Sequence, residues 1–133
     1  MKLTKILLSL LFAFVVCSAF SAKKKEPKAV YAFGVGASFT DTVVCYTEIQ
    51  MLDSVKLDKG GFLPQRDLYS YQLKNYLEGT KGLPNRTCMI YFSKHKDRLE
   101  KELVKVLDRY KKNKSINLKK LDATEFRFKK PQE

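Results

Sequence analysis

Residues 87–112 read TCMIYFSKHKDRLEKELVKVLDRYKK, and two hydrophobic periods meet there. Thr87 to Phe92 is a short continuous apolar run. A strand covered on both faces has this pattern, which predicts a central place in a sheet. Ser93 follows as a polar helix cap. Beyond it Leu99, Leu103, Val106, Leu107 and Tyr110 recur at the spacing of one helical face, predicting a helix to about Lys112. Asp97 and Lys101 add a favourable acid-before-base pair at i, i+4. A buried strand running straight into an amphipathic helix is a unit of α/β architecture.

On the N-terminal side, residues 66–78 predict another helix. Tyr69, Leu73, Tyr76 and Leu77 fall on one face, with Asp67 as cap and Gly79 as the left-handed residue at the end. Residues 53–64 read as a loop centred on Gly60 and Gly61. Earlier, residues 30–39 and 42–51 are rich in β-branched and aromatic side chains around the polar Thr40 and Asp41, which predicts a β-hairpin. On the C-terminal side, residues 117–121 and 126–128 are strand-like pieces separated at 122–125. A polar tail over 129–133 should fray. The order is β-β-α-β-α-β. It predicts one α/β domain over 30–128, with α+β as the alternative class, built on a mixed sheet of four to five strands with both helices on one face. A domain of this length can bury a core without metals or many disulfides.

The first residues have another character. Lys2 and Lys5 precede an apolar run from Ile6 to Val16, and Ala19 and Ser21 stand at small-x-small spacing. This is the order of a secretory signal peptide over 1–21, with cleavage after Ser21 or Ala22. The run is shorter than the roughly 20 residues of a membrane span, so no transmembrane segment is expected after cleavage. Lipidation at Cys17 is disfavoured by the bulky Val16 before it. Residues 22–29 form a charged linker with little to bury. The expected location is the periplasm or cell envelope, or outside the cell.

Loss of Lys2 and Lys5 from the 26 bases leaves 24 against 14 acids, a net +10. Such an excess favours anionic partners, so an anionic surface or an envelope protein is the expected partner class. The lysines are interleaved with Asp97, Glu100, Glu102 and Asp108, and no nucleic-acid module is present, so a nucleic-acid role is not expected.

No catalytic constellation stands out. Asp41 and Glu48, seven residues apart in the second strand region, lie on opposite faces and about 20 Å apart. One histidine, His95, and the cysteines give no zinc spacing, and no metal or cofactor is predicted. Gly34 and Gly36 faintly resemble a dinucleotide fingerprint, but the third glycine and the following helix are missing, which favours close packing in the strand. Cys45 and Cys88 are a candidate disulfide closing a loop of about 44 residues, or else two buried thiols. Tyr71, off the buried helix face, is a candidate binding contact, together with Arg66, Arg86 and Asp41. Ser38, Asp41, Arg66, Asp67 and Arg86 would form a hydrolase-like site only if the fold brought them together. The primary expectation is a non-enzymatic binding or interaction domain, and a small envelope enzyme is the alternative.

The run AFGVGASFTDTVVCYTEIQ, the segment RDLYSYQLKNYL, the tripeptide RTC and the terminal EFRF resemble a group of small exported proteins of Bacteroidetes-type Gram-negative bacteria. The resemblance spans about residues 30–128. It implies export and a compact domain, and it carries no activity, cofactor or catalytic residue. An aromatic residue often stands in that group where this chain has Cys45, which argues against a disulfide common to the group.

Overall fold

A computed structural model describes residues 29–132. The expected signal peptide over 1–21, Cys17 and all of the expected charged linker but Ala29 lie outside the described residues. The elements are β1 (Val30–Ala37), β2 (Val43–Thr47), β3 (Gln50–Leu52), α1 (Arg66–Asn75), β4 (Thr87–Ser93), α2 (Lys96–Lys111) and β5 (Asn117–Leu121). This is the predicted small α/β fold with a mixed sheet of five strands.

β1 is the axis of the sheet. Its whole length pairs antiparallel with β4, from Tyr31 opposite Ser93 to Ala37 opposite Thr87. Its other edge is shared by β2, through Val35 opposite Tyr46, and β3, through Val30 opposite Leu52. β5 completes the sheet by running parallel to β2. The β1 pairing shifts by one residue between β2 and β3, so Glu48 and Ile49 form a bulge. There the Gly34 N–H donates to the Thr47 hydroxyl at 2.9 Å, and that hydroxyl donates to the Glu48 carbonyl. Thr47 is fully buried, and its side chain replaces the ladder bond that the bulge removes.

Two predictions change. The helices lie on opposite faces of the sheet, not on one. Val30, Ala32, Cys45 and Ile90 pack with Tyr69, Leu73 and Leu77 of the α1 region. Phe33, Val35 and Val44 pack with Leu99 and Val106 of α2. β1 is therefore apolar at every position, and its alternate side chains feed two cores. β4 is an edge strand, not a central one. Its apolar run reports two covered faces, and the period of a sequence carries no information about lateral neighbours.

The glycines of β1 serve close packing. A side-chain carbon on Gly34 would fall 2.6 Å from Leu73 Cδ2, and one on Gly36 would fall 2.3 Å from Leu77 Cδ1. Helix ends also differ from expectation. Asp67 lies in the first turn, after Gln65 at φ 57°, and makes no cap bond. Gly79 lies within a π turn over Tyr76–Thr80, and Gly82, at φ 67°, is the left-handed residue. His95 precedes α2, and Ser93 Oγ accepts the His95 N–H.

Residues 126–128 are extended but form no ladder. Gln50 donates to the Phe126 carbonyl and accepts the Phe128 N–H, both at 2.9 Å. Gln72 does the same with the carbonyl and N–H of Lys129. Two side-chain amides thus act as strand neighbours, and Phe126 and Phe128 close the α1 core. The tail expected to fray from Lys129 is held at that residue.

The two-sided packing predicts a pattern of energetic coupling. Leu73 and Ile90 both approach Gly34, whereas Leu103 packs in the opposite core. Leu73→Ala should cost about 2–5 kcal/mol. A double-mutant cycle by urea unfolding should couple Leu73→Ala to Ile90→Val by at least about 0.5 kcal/mol, and leave Leu103→Ala and Ile90→Val additive within about 0.5 kcal/mol.

Candidate functional site

The polar residues singled out in the sequence separate between the two ends of the sheet. α1 runs from Arg66 near the Val30 end of β1 toward the Ala37 end. Arg66 and Asp67 therefore sit at one end, and Ser38, Asp41 and Arg86 at the other, with a helix of about 15 Å between them. The five do not converge.

At the Ala37 end Arg86 is only 1% exposed. Its guanidinium donates to the Asp41 carboxylate and, at 2.6 Å, to the Val43 carbonyl. Its backbone N–H donates to Glu78, and its carbonyl accepts from Lys74. Arg86 Nε has no acceptor among the described residues. The hairpin turn is thereby tied to the segment before β4. Removing one partner of such a pair leaves a charge in a dry site. Asp41 also accepts the Val43 N–H, and this bond, with the Arg86 contact, holds its carboxyl below the usual range. A lowered folded-state value contributes stability above the ordinary carboxylate pKa and loses it as pH falls through the folded value. The group is an anchor, with both charges spent on each other. A second tie joins Lys81 to Glu125 and fixes the turn before Phe126.

Cys45 and Cys88 are both free thiols. They flank Gly36 from the strands on its two sides. Two strand spacings put their Cα atoms roughly 10 Å apart, beyond the reach of a disulfide. The geometry favours two unbridged thiols, with Cys45 buried and Cys88 half-buried. Burial raises the Cys45 thiol and pushes Cys88 up to about 11. Neither is a thiolate at neutral pH, so neither is an activated nucleophile.

Tyr71 is 58% exposed on the outer face of α1 and lines neither the cavity at the Val30 end nor the groove along β4. Arg66 stacks over the Phe92 ring at 5.9 Å beside the β4 edge. Among the described residues no cluster of His, Cys, Asp and Glu could hold a metal ion, and no helix is long and apolar enough to cross a membrane.

A cavity of about 1090 Å³ opens at the Val30 end, where the described chain begins. Its apolar floor is Val30, Leu52, Val55, Leu57 and Tyr69, and Lys56, Lys94 and Lys130 stand around it. Burial raises the Tyr69 phenol, as expected beneath an apolar floor. The 53–64 loop forms one wall. Asp58 shapes it by accepting the N–H groups of Gly60 and Phe62, with Gly61 at φ 80°. Lys130 donates to the Ser54 carbonyl, so the C-terminal segment completes the rim. The sequence reading missed these residues. The available signal was Val55, Leu57, Phe62 and Leu63, four apolar side chains in a stretch otherwise read as a polar loop. An apolar floor beneath several cations suits a molecule with an apolar body and an anionic head.

No family model, curated protein or solved structure matches the chain.

Two outcomes test the anchor and the thiols. The acid limb of stability should flatten in Asp41→Asn relative to the parent, measured as urea midpoint between pH 6 and pH 2. At neutral pH, maleimide should leave Cys45 and Cys88 unmodified in the native protein and label both in denaturant, as read by peptide mass mapping.

Proposed function

We propose that the chain is an exported, non-catalytic binding domain whose cavity at the Val30 end takes an amphipathic anion. The carrying observation is the apolar floor of Val30, Leu52, Leu57 and Tyr69 beneath Lys56, Lys94 and Lys130. The signal-peptide pattern of residues 1–21 supports export, and the excess of bases over acids supports an anionic ligand. The apolar floor supplies affinity in proportion to the hydrocarbon it covers. The lysines select for charge and orient the head outward. Their exposure keeps each contribution small, about 1 kcal/mol at 4 Å in water and up to about 4 kcal/mol near a protein surface.

A series of straight-chain carboxylates of 8 to 14 carbons tests this. Binding can be followed by tyrosine fluorescence, since the chain has no tryptophan. Each added methylene should tighten binding about fourfold, the equivalent of about 0.8 kcal/mol. Lys94→Glu with Lys130→Glu should weaken it at least tenfold, and the matching alcohol should bind less well than the acid. Affinity independent of chain length, or unchanged by the two reversals, overturns the reading.

A further inference from the structure

β4 lacks the devices that protect an edge. Its sequence, TCMIYFS, holds no charged residue, proline or glycine over seven residues. The opposite edge, β5, reads NLKKL and carries exposed Lys119 and Lys120, which discourage further pairing. Both are edges of the same sheet, and only one is blunted.

The outward backbone groups of β4 follow from the ladder. The Gly34 N–H points toward β2, where it meets Thr47. In a strand, successive residues send their N–H and C=O to opposite sides, so Phe33 and Val35 turn theirs toward β4. Their partners Tyr91 and Met89 answer them. Cys88, Ile90 and Phe92 then present their N–H and C=O groups to the open side. Among the described residues no strand meets them.

A groove of about 430 Å³ runs along this edge. Met89, 42% exposed, lies along it, and Leu99 lies at its α2 side. Arg66 lines it from α1, over Phe92, and Arg98 lines it from α2. Two exposed guanidinium groups thus flank the strand from the two faces of the sheet. Glu102 is the one acid in the groove. An incoming strand sends alternate side chains to the two faces, so acidic residues on both faces meet an arginine. A second copy of this chain fits less well, because pairing two β4 edges brings like-charged arginines into one groove.

We infer that the free edge of β4 is a docking site for an extended acidic segment of another protein, added to the sheet as a further strand. Main-chain bonds to Cys88, Ile90 and Phe92 supply the affinity, and Arg66 and Arg98 select the charge. This site shares no lining residue with the cavity at the Val30 end, so either assignment stands without the other.

The test uses the whole chain and a capped nonapeptide in which pairs of valine alternate with pairs of glutamate, so that each face of the added strand presents glutamate. Binding should slow amide exchange at Ile90 and Phe92 at least tenfold, as read by NMR. Arg66→Glu with Arg98→Glu should weaken binding at least tenfold while the circular dichroism spectrum stays that of the parent. The same peptide N-methylated at alternate amides should lose binding, which separates strand addition from plain charge attraction. Several results overturn the inference: no binding at 1 mM peptide, equal affinity for the N-methylated peptide, or equal affinity for a peptide with lysine in place of glutamate. Concentration-dependent dimerisation that protects the same amides without peptide also overturns it, and assigns the edge to a second copy.

Discussion

The close approach of α1 to β1 is the constraint on which the rest of the molecule is built. Gly34 and Gly36 leave the second half of β1 without side chains on the α1 face, and Leu73 and Leu77 occupy that space. Neither leucine could sit there against a methyl group without a clash. Because the helix rests so near the sheet, the two cysteines beside Gly36 and Ile90 beside Gly34 complete the same layer. The other face of β1 has no such gap. Phe33 stacks on Tyr91 with ring centroids 4.8 Å apart, and α2 rides on that aromatic floor. One strand thus sets two different helix-to-sheet contacts through alternate residues.

What remains exposed after this packing is closed by side-chain amides and buried charge. The bulge at Glu48 and Ile49 breaks the ladder, and Thr47 repairs it. The terminal segment has no neighbouring strand, and Gln50 and Gln72 serve as its hydrogen-bond partners. These bonds lie between residues 57 to 78 positions apart, so the segment is ordered only when the whole domain is formed. That ordering shapes the proposed binding cavity, because Lys130 at the end of the segment completes its rim. Arg86 works similarly at the opposite end of the sheet, holding the hairpin turn against the segment before β4.

The distribution of charge has a physical logic. The ion pairs of Arg86 with Asp41, Lys74 with Glu78 and Lys81 with Glu125 cluster around the Ala37 end and are internal to the fold. The lysines around the cavity and the arginines beside β4 form no ion pair with a described acid. Arg86, Lys74 and Lys81 are thus consumed by structure, while the basic side chains around the cavity and beside β4 are left available. Both proposed recognition sites lie where they are available.

The sequence alone determined the order of strands and helices, the mixed sheet and the apolar face of each helix, because these follow from local period and composition. It also pointed to the two inner glycines as packing residues. It could not determine which face each helix covers, since a strand apolar at every position is compatible with either. It placed β4 at the centre, because a run apolar on both faces looks the same whether one or two strands flank it. The candidate site was less legible still. Arg86 and Asp41 were visible as polar residues near turns, but a sequence cannot show that two charges 45 positions apart neutralise each other. The cavity draws its lysines from three separate stretches of chain, and no periodicity links them. Local patterning specifies the elements because backbone geometry is local. Only tertiary structure decides which residues share a cavity or an edge, because that depends on contacts between segments whose separation along the chain leaves no trace in either pattern.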